Sequence, residues 1–310
     1  MNLNGWRARL ALWTAAALLV LLPGLALAEE EESPYFENEW NYVDGSIDVS
    51  GGIPEDAVGV LVRIREAGAL RVATEPYFPP QEFIDPNLSG QEQFVGADME
   101  LARLIAQRMG VELVIVPMDF ADVLDAVAAG ECDLAISGLM YTPGRAAKVE
   151  LSKGYHYAGN DAGSGLLIRS ADAEQIREPR DLAGRDIVAQ SGSLQETQMA
   201  ENVTHYREFR RLSLVQDVYR AVESGRADAA MVDIESAENY IENNPDCGLA
   251  LVPGVRFVPD EQFDGDRVAG KKGELQLMYF VNGVIDEVLP SGQYEEWFKS
   301  YGEYAARLGL

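Results

Sequence analysis

Cysteine, histidine and positive charge are all scarce in this chain. Its 310 residues include two cysteines, Cys132 and Cys247, and two histidines, His156 and His205. Two cysteines make no disulfide framework, and the four residues together offer no zinc-binding spacing. No metal and no cofactor is expected. Lysine and arginine number 25 against 51 acidic residues, a net charge of −26. So acidic a surface repels nucleic acid and anionic lipid, and neither is an expected partner. Long apolar runs are also missing, apart from residues 10–22, which follow Arg7 and Arg9. That run is short for a spanning helix, which takes about 20 apolar residues. Pro23-Gly24 breaks it, and Ala26-Leu27-Ala28 supplies a small-x-small cleavage site. This is the layout of a secretory signal peptide over residues 1–28, with an uncleaved anchor as the alternative. No cysteine follows the run before Cys132, which excludes a lipidated N-terminal cysteine. Loss of Arg7 and Arg9 with the leader takes the charge from −26 to −28.

What is present is order on the scale of a strand and a helix. Residues 29–55 form an acidic and aromatic extension, opening on four glutamates and holding Tyr35, Phe36 and Trp40. Three large aromatics suggest a packed strap or docking segment rather than plain linker. From Gly68 onward, strand-like and helix-like segments alternate, which predicts an α/β fold with mostly parallel sheets. Residues 70–74 read as a first strand. Residues 98–109 place Leu101, Leu104, Ile105 and Met109 on one helical face that ends at Gly110.

One segment is written twice. DVLDAVAAGECDLA at 122–135 returns as DVYRAVESGRADAA at 217–230, identical at D, V, A, V, G, D and A. Each copy predicts a helix with an i, i+3, i+4 apolar stripe, a glycine stop and a strand. Only two copies, far apart, fit two similar lobes better than a solenoid. The polar stretch at 157–165 and a second at 259–265 are candidate crossings between such lobes. Two tail helices are predicted over 274–289 and 294–306, separated by Pro290-Ser291-Gly292.

In open parallel sheets, ligands bind beyond the carboxyl ends of the strands. The first repeated strand runs into SGLMYTPGR at 137–145 and the second into Asp233. If the lobes face each other, one strand end offers hydroxyls and the Arg145 guanidinium, and the other a carboxylate. A zwitterion needs that pairing. The same residues have blander readings: Arg145 as a solvated residue after a turn, Asp233 as a helix N-cap, Phe78 and Phe120 as core. Ser191-Gly192-Ser193 precedes a predicted helix, where free backbone N–H groups would hold an anion.

The stretches VGADMELARLIAQRMG (95–110) and CDLAISGLMYTPGR (132–145) resemble the extracellular solute-binding proteins that feed polar amino acids to ATP-binding-cassette importers. The resemblance continues through RVATEPYFPPQEF, DLAGRDIVAQSGSLQE, SGRADAAMVD and SGQYEEWFKSYG, in order, from about residue 53 onward. It implies a periplasmic binding protein-like II fold: two Rossmann-like α/β lobes on a two-strand hinge, residues 56–160 with 261–310 and residues 161–260. It implies an exported, monomeric, non-enzymatic receptor that captures an amino acid or similar zwitterion and delivers it to a transporter permease. By position, Arg145 would clamp the α-carboxylate beside Thr142 and Ser193. Asp233 would receive the α-ammonium near Ser137 and Gly138. Phe78 and Phe120 would sandwich the ligand, and Glu75 would tune side-chain preference. Both cysteines, one per implied lobe, would be free.

Departures from the family pattern are Ala97 where an aromatic or large aliphatic residue is usual, Gln81 where an aromatic is common, and Met140 and Leu194 where hydroxyls are usual. Met140 and Leu194 make the pocket more apolar, whereas Glu75 favours a basic ligand; Gln81 and Gln195 are further candidates for reading the side chain. The rival readings are a ligand-binding sensory or accessory module, and an enzyme like the periplasmic cyclohexadienyl dehydratases with Glu75 as general acid.

Overall fold

The computed structural model describes residues 42–157, 163–258 and 264–310. The leader, the aromatics Tyr35, Phe36 and Trp40, and residues 158–162 and 259–263 of the two candidate crossings lie outside them. Two five-stranded sheets organise the chain. The first takes β1 (Ala69–Thr74), β5 (Glu112–Pro117), β6 (Leu134–Ala135), β7 (Val149–His156) and β13 (Asp266–Lys271), in the spatial order β5-β1-β6-β13-β7. The second takes β8 (Ser164–Arg169), β9 (Asp186–Gln190), β10 (Glu208–Leu212), β11 (Ala229–Asp233) and β12 (Leu249–Phe257), in the order β10-β9-β11-β8-β12. A small sheet of β2 (Tyr77–Phe78), β3 (Glu82–Ile84) and β4 (Phe94–Val95) leads from β1 to helix α2 (Ala97–Met109).

The sheets are mixed rather than mostly parallel by pairing. β13 runs against both of its neighbours in the first sheet, and β8 against both of its neighbours in the second. Both strands enter from the other lobe, at the cleft end of the sheet, and so run opposite to the strands that climb toward it.

The repeated segment folds the same way twice. In α3 (Phe120–Ala129) Val123, Ala126 and Val127 are buried, and in α6 (Val215–Glu223) Val218, Ala221 and Val222 are. Gly130 and Gly225 end the two helices with positive φ of 80° and 74°. The two framing aspartates that follow do one job. Asp133 accepts from the Arg71 amide at 2.8 Å and from Arg63 at 2.7 Å; Asp228 accepts from the Asp186 amide at 2.9 Å and from Arg169 at 3.3 Å. Each carboxylate thus ties its strand to the head of the neighbouring strand.

Helices α8 (Leu275–Ser291) and α9 (Gln293–Leu308) follow β13 and pack on the first lobe. Pro290 does not separate them as expected. It sits in the last turn of α8, where one lost bond is tolerated, and Gly292 with φ 70° makes the break. Across α8 lies a strap, residues 42–53. The Val43 amide bonds Leu151 O at 2.7 Å, Ile47 N bonds Tyr279 O at 3.2 Å, and the fully buried Asn282 donates to Val43 O and Gly45 O. A side chain on Gly283 would strike Ile47 O, so this glycine lets the strap lie close. Cys132 and Cys247 are both free, one in each lobe.

Candidate functional site

The carboxyl ends of β1, β6, β9 and β11 converge on a cleft of about 760 Å³, its open mouth included. Every site residue singled out above lines it except Thr142, Ser191 and Gly192: Glu75, Phe78, Phe120, Ser137, Gly138, Met140, Arg145, Ser193, Leu194 and Asp233 do. Gln81 and Gln195 line it too. The lobes touch beside it. Arg145 Nη2 reaches Gly192 O at 3.4 Å, and Phe78 packs against a core cluster of the second lobe.

Arg145 is aimed by its own helix, α4 (Pro143–Lys148). Thr142 caps that helix, its Oγ1 accepting from Arg145 N at 3.1 Å, so it serves Arg145 from outside the cleft. The guanidinium donates to Met140 O at 2.7 Å and lies 5.6 Å from the Phe120 ring centre. Burial pulls its pKa down to about 10, against the pull of Asp266. A forked cation held this way, with nitrogens facing a cavity, suits a carboxylate. The serine-glycine loop opposite supplies less than expected. Its amides are spent internally: Ser191 N on Leu212 O, Gly192 N on the Glu196 carboxylate, Ser193 N on Gln190 O.

Asp233 ends β11 and caps α7 (Ile234–Asn243), accepting from Ser236 N at 2.9 Å. The cap reading and the cleft reading are compatible, because the capping residue also lines the cleft. Burial raises its pKa despite the helix amides. Glu75 is 1% exposed, and its Oε1 has no hydrogen-bond partner. Burial pushes its pKa up to about 8, with Asp119 adding to the rise and the Tyr77 amide and Gln190 side chain opposing it. Ser137 Oγ donates to Glu82 at 2.8 Å and accepts from Glu75 N at 3.0 Å. Gly138 N donates to Asp98 at 3.0 Å. These two groups therefore hold the acids rather than stand free.

Sequence reasoning missed Glu82, His156, Gln190, Glu235, Asp264 and Asp266, all of which line the cleft. Burial, then Asp98, drives the Glu82 pKa well above the usual carboxylate range. Asp98 has better support, with Gly138 N, Tyr155 and Tyr294 all donating to it. The one signal available for Asp266 and His156 was their place beside the candidate crossings.

Among known proteins, the family model of the bacterial extracellular solute-binding proteins, family 3, matches residues 70–304. The arginine-binding extracellular protein ArtP of Bacillus subtilis is 28% identical over 68% of this chain and 78% of its own length. The L-cystine-binding protein TcyJ of Escherichia coli is 26% identical over 77% of this chain and 86% of its own. Among solved structures, the amino acid ABC transporter substrate-binding protein AbpA from Streptococcus pneumoniae, bound to L-arginine, superposes with a TM-score of 0.70 at 32% identity, covering 78% of this chain and 98% of that one. An ancestral amino acid-binding protein, AncCDT-1, a precursor of cyclohexadienyl dehydratase, superposes at 0.67 with 26% identity, covering 78% and 99%.

Proposed function

The chain belongs to family 3 of the bacterial extracellular solute-binding proteins, and from that premise we propose that it captures an amino acid with a cationic side chain, L-arginine foremost. The observation that carries this reading is the set of charges lining one cleft: Arg145 and the buried Glu75, whose Oε1 has no hydrogen-bond partner, from the first lobe, and Asp233 from the second. Arg145 receives the α-carboxylate, Asp233 the α-ammonium and Glu75 the side-chain cation. That Glu75 is costly to bury without a partner supports a cation arriving there. Phe78 and Phe120 line the same cleft and offer flat apolar walls to the ligand stem. The two lobes close on the ligand about the crossings, and the closed form is what a transporter permease recognises. The protein acts as an exported monomer.

The test is a thermal-shift screen of the twenty amino acids. Ligand at about 100 times its Kd stabilises a fold by about 2.7 kcal/mol, a shift of several degrees. The expected result is a rise with arginine or lysine that vanishes in Arg145→Ala and in Asp233→Ala. A ligand-free protein that no amino acid shifts would overturn the reading. One observation favours a second reading: Glu75, protonated at neutral pH, is fit to be a general acid. Product formed from prephenate or arogenate would establish it.

A further inference from the structure

His156 closes β7 and Asp266 opens β13, and the two are register partners on neighbouring strands. Such partners stand with Cβ atoms about 4.5–5.5 Å apart. Both line the cleft, at 5% and 9% exposure. His156 Nδ1 lies 3.1 Å from Glu295 Oε1, and the ring stacks on Phe298 at 4.4 Å, which fixes its direction. Its Nε2 is buried and has no hydrogen-bond partner. A carboxylate at Nδ1 assigns the hydrogen there, which leaves the Nε2 lone pair for the cleft.

We propose that the ligand's primary ammonium is received by three acceptors: Asp233 from one lobe, and Asp266 and His156 Nε2 from the other. The inference rests on the function proposed above and adds two residues to it. An ammonium carries three N–H donors and no acceptor. Asp233 cannot serve all three, since one of its oxygens is bonded to Ser236 N. Asp266 and His156 supply the other two acceptors, from the opposite wall. The arrangement makes the ammonium a bridge between lobes, so the group that is recognised is also the group that holds them together.

Electrostatics agree with the geometry. Burial raises the Asp266 pKa to about 7 against the pull of His156, with Asp98, Asp233 and Glu235 adding to the rise. Burial lowers that of His156, but Asp266, Glu295 and Glu235 outweigh it and the net shift is upward. The upward shift of both groups favours a proton on the pair where the ligand's cation is to sit. Binding displaces that proton, so affinity rises with pH through the neutral range.

The experiment is titration calorimetry near pH 7.5 with L-arginine and with 5-guanidinopentanoic acid, which lacks only the α-amino group. If the screen selects another amino acid, that one and its des-amino acid replace them. Wild type is expected to prefer the amino acid. Asp266→Asn is expected to cut that preference by about 30-fold, the low end for truncating a buried charge contact, with binding of the des-amino acid unchanged. His156→Phe should cut it less and reduce the proton release seen between buffers of different ionisation enthalpy. Asp266→Ser takes the place of the asparagine variant if that one melts early. An Asp266→Asn protein with the wild-type preference, or one weakened equally for both ligands, would overturn the inference. Absence of any wild-type isotherm would instead overturn the proposed function.

Discussion

Glu75 places a carboxyl group where water barely reaches, with one oxygen unpaired. Its pKa of about 8 stands above the 4.5 of a free glutamate. Between those values the folded protein keeps a proton that the unfolded chain has lost. Stability from this group is therefore full below about pH 4.5 and is lost as pH rises toward 8. Glu75→Gln removes the dependence. In ligand-free melting curves the variant should match wild type at pH 4 and exceed it at pH 8, while its affinity for a cationic side chain falls. A variant that melts below wild type at pH 8 would mean that the carboxylate is paired. At this scale the sequence spoke unevenly. Arg145 and Asp233 were legible as cleft-lining residues because Asp233 ends one repeated strand and Arg145 lies in the segment that follows the other. Glu82, Asp266 and His156 were not, because each is defined by partners far along the chain: Ser137 for Glu82, Glu295 for His156.

Between elements, the loop from β9 to α5 (Leu194–Asn202) lies close against α3 across the cleft. A Cβ on Gly192 would lie 2.9 Å from the Ala121 Cα, and its φ of 77° suits glycine. Gly192→Ala should therefore wedge the lobes apart and weaken ligand binding about tenfold, about 1.4 kcal/mol, while the positive φ also lowers the ligand-free melting temperature. Unchanged affinity would show that the loop does not need to meet α3. The helices and their glycine stops were legible from apolar spacing alone, as α2, α3 and α6 show. The reversed course of β8 and β13 was not, since a strand's direction depends on which lobe it comes from. Nor was the spent state of the serine-glycine loop, although one of the bonds that fill it is local: Glu196, four residues on in the first turn of α5, occupies the Gly192 amide.

For the whole molecule, 51 acidic residues against 25 basic ones leave a surface that repels itself. Salt screens such repulsion over about 10 Å at 0.1 M. The melting temperature should rise between about 20 mM and 500 mM sodium chloride; a fall would mean that ion pairs such as Arg63–Asp133 outweigh the repulsion. The strap bears on use as well as on stability. Among the described residues it is bonded to β7 and α8. A dye carried on exposed Asp48 would ride with one jaw, and a second on exposed Glu201 of α5 with the other. With the lobe closure proposed above, energy transfer between them would read ligand capture, and anchoring the protein to a chip through the strap would leave the second lobe unattached.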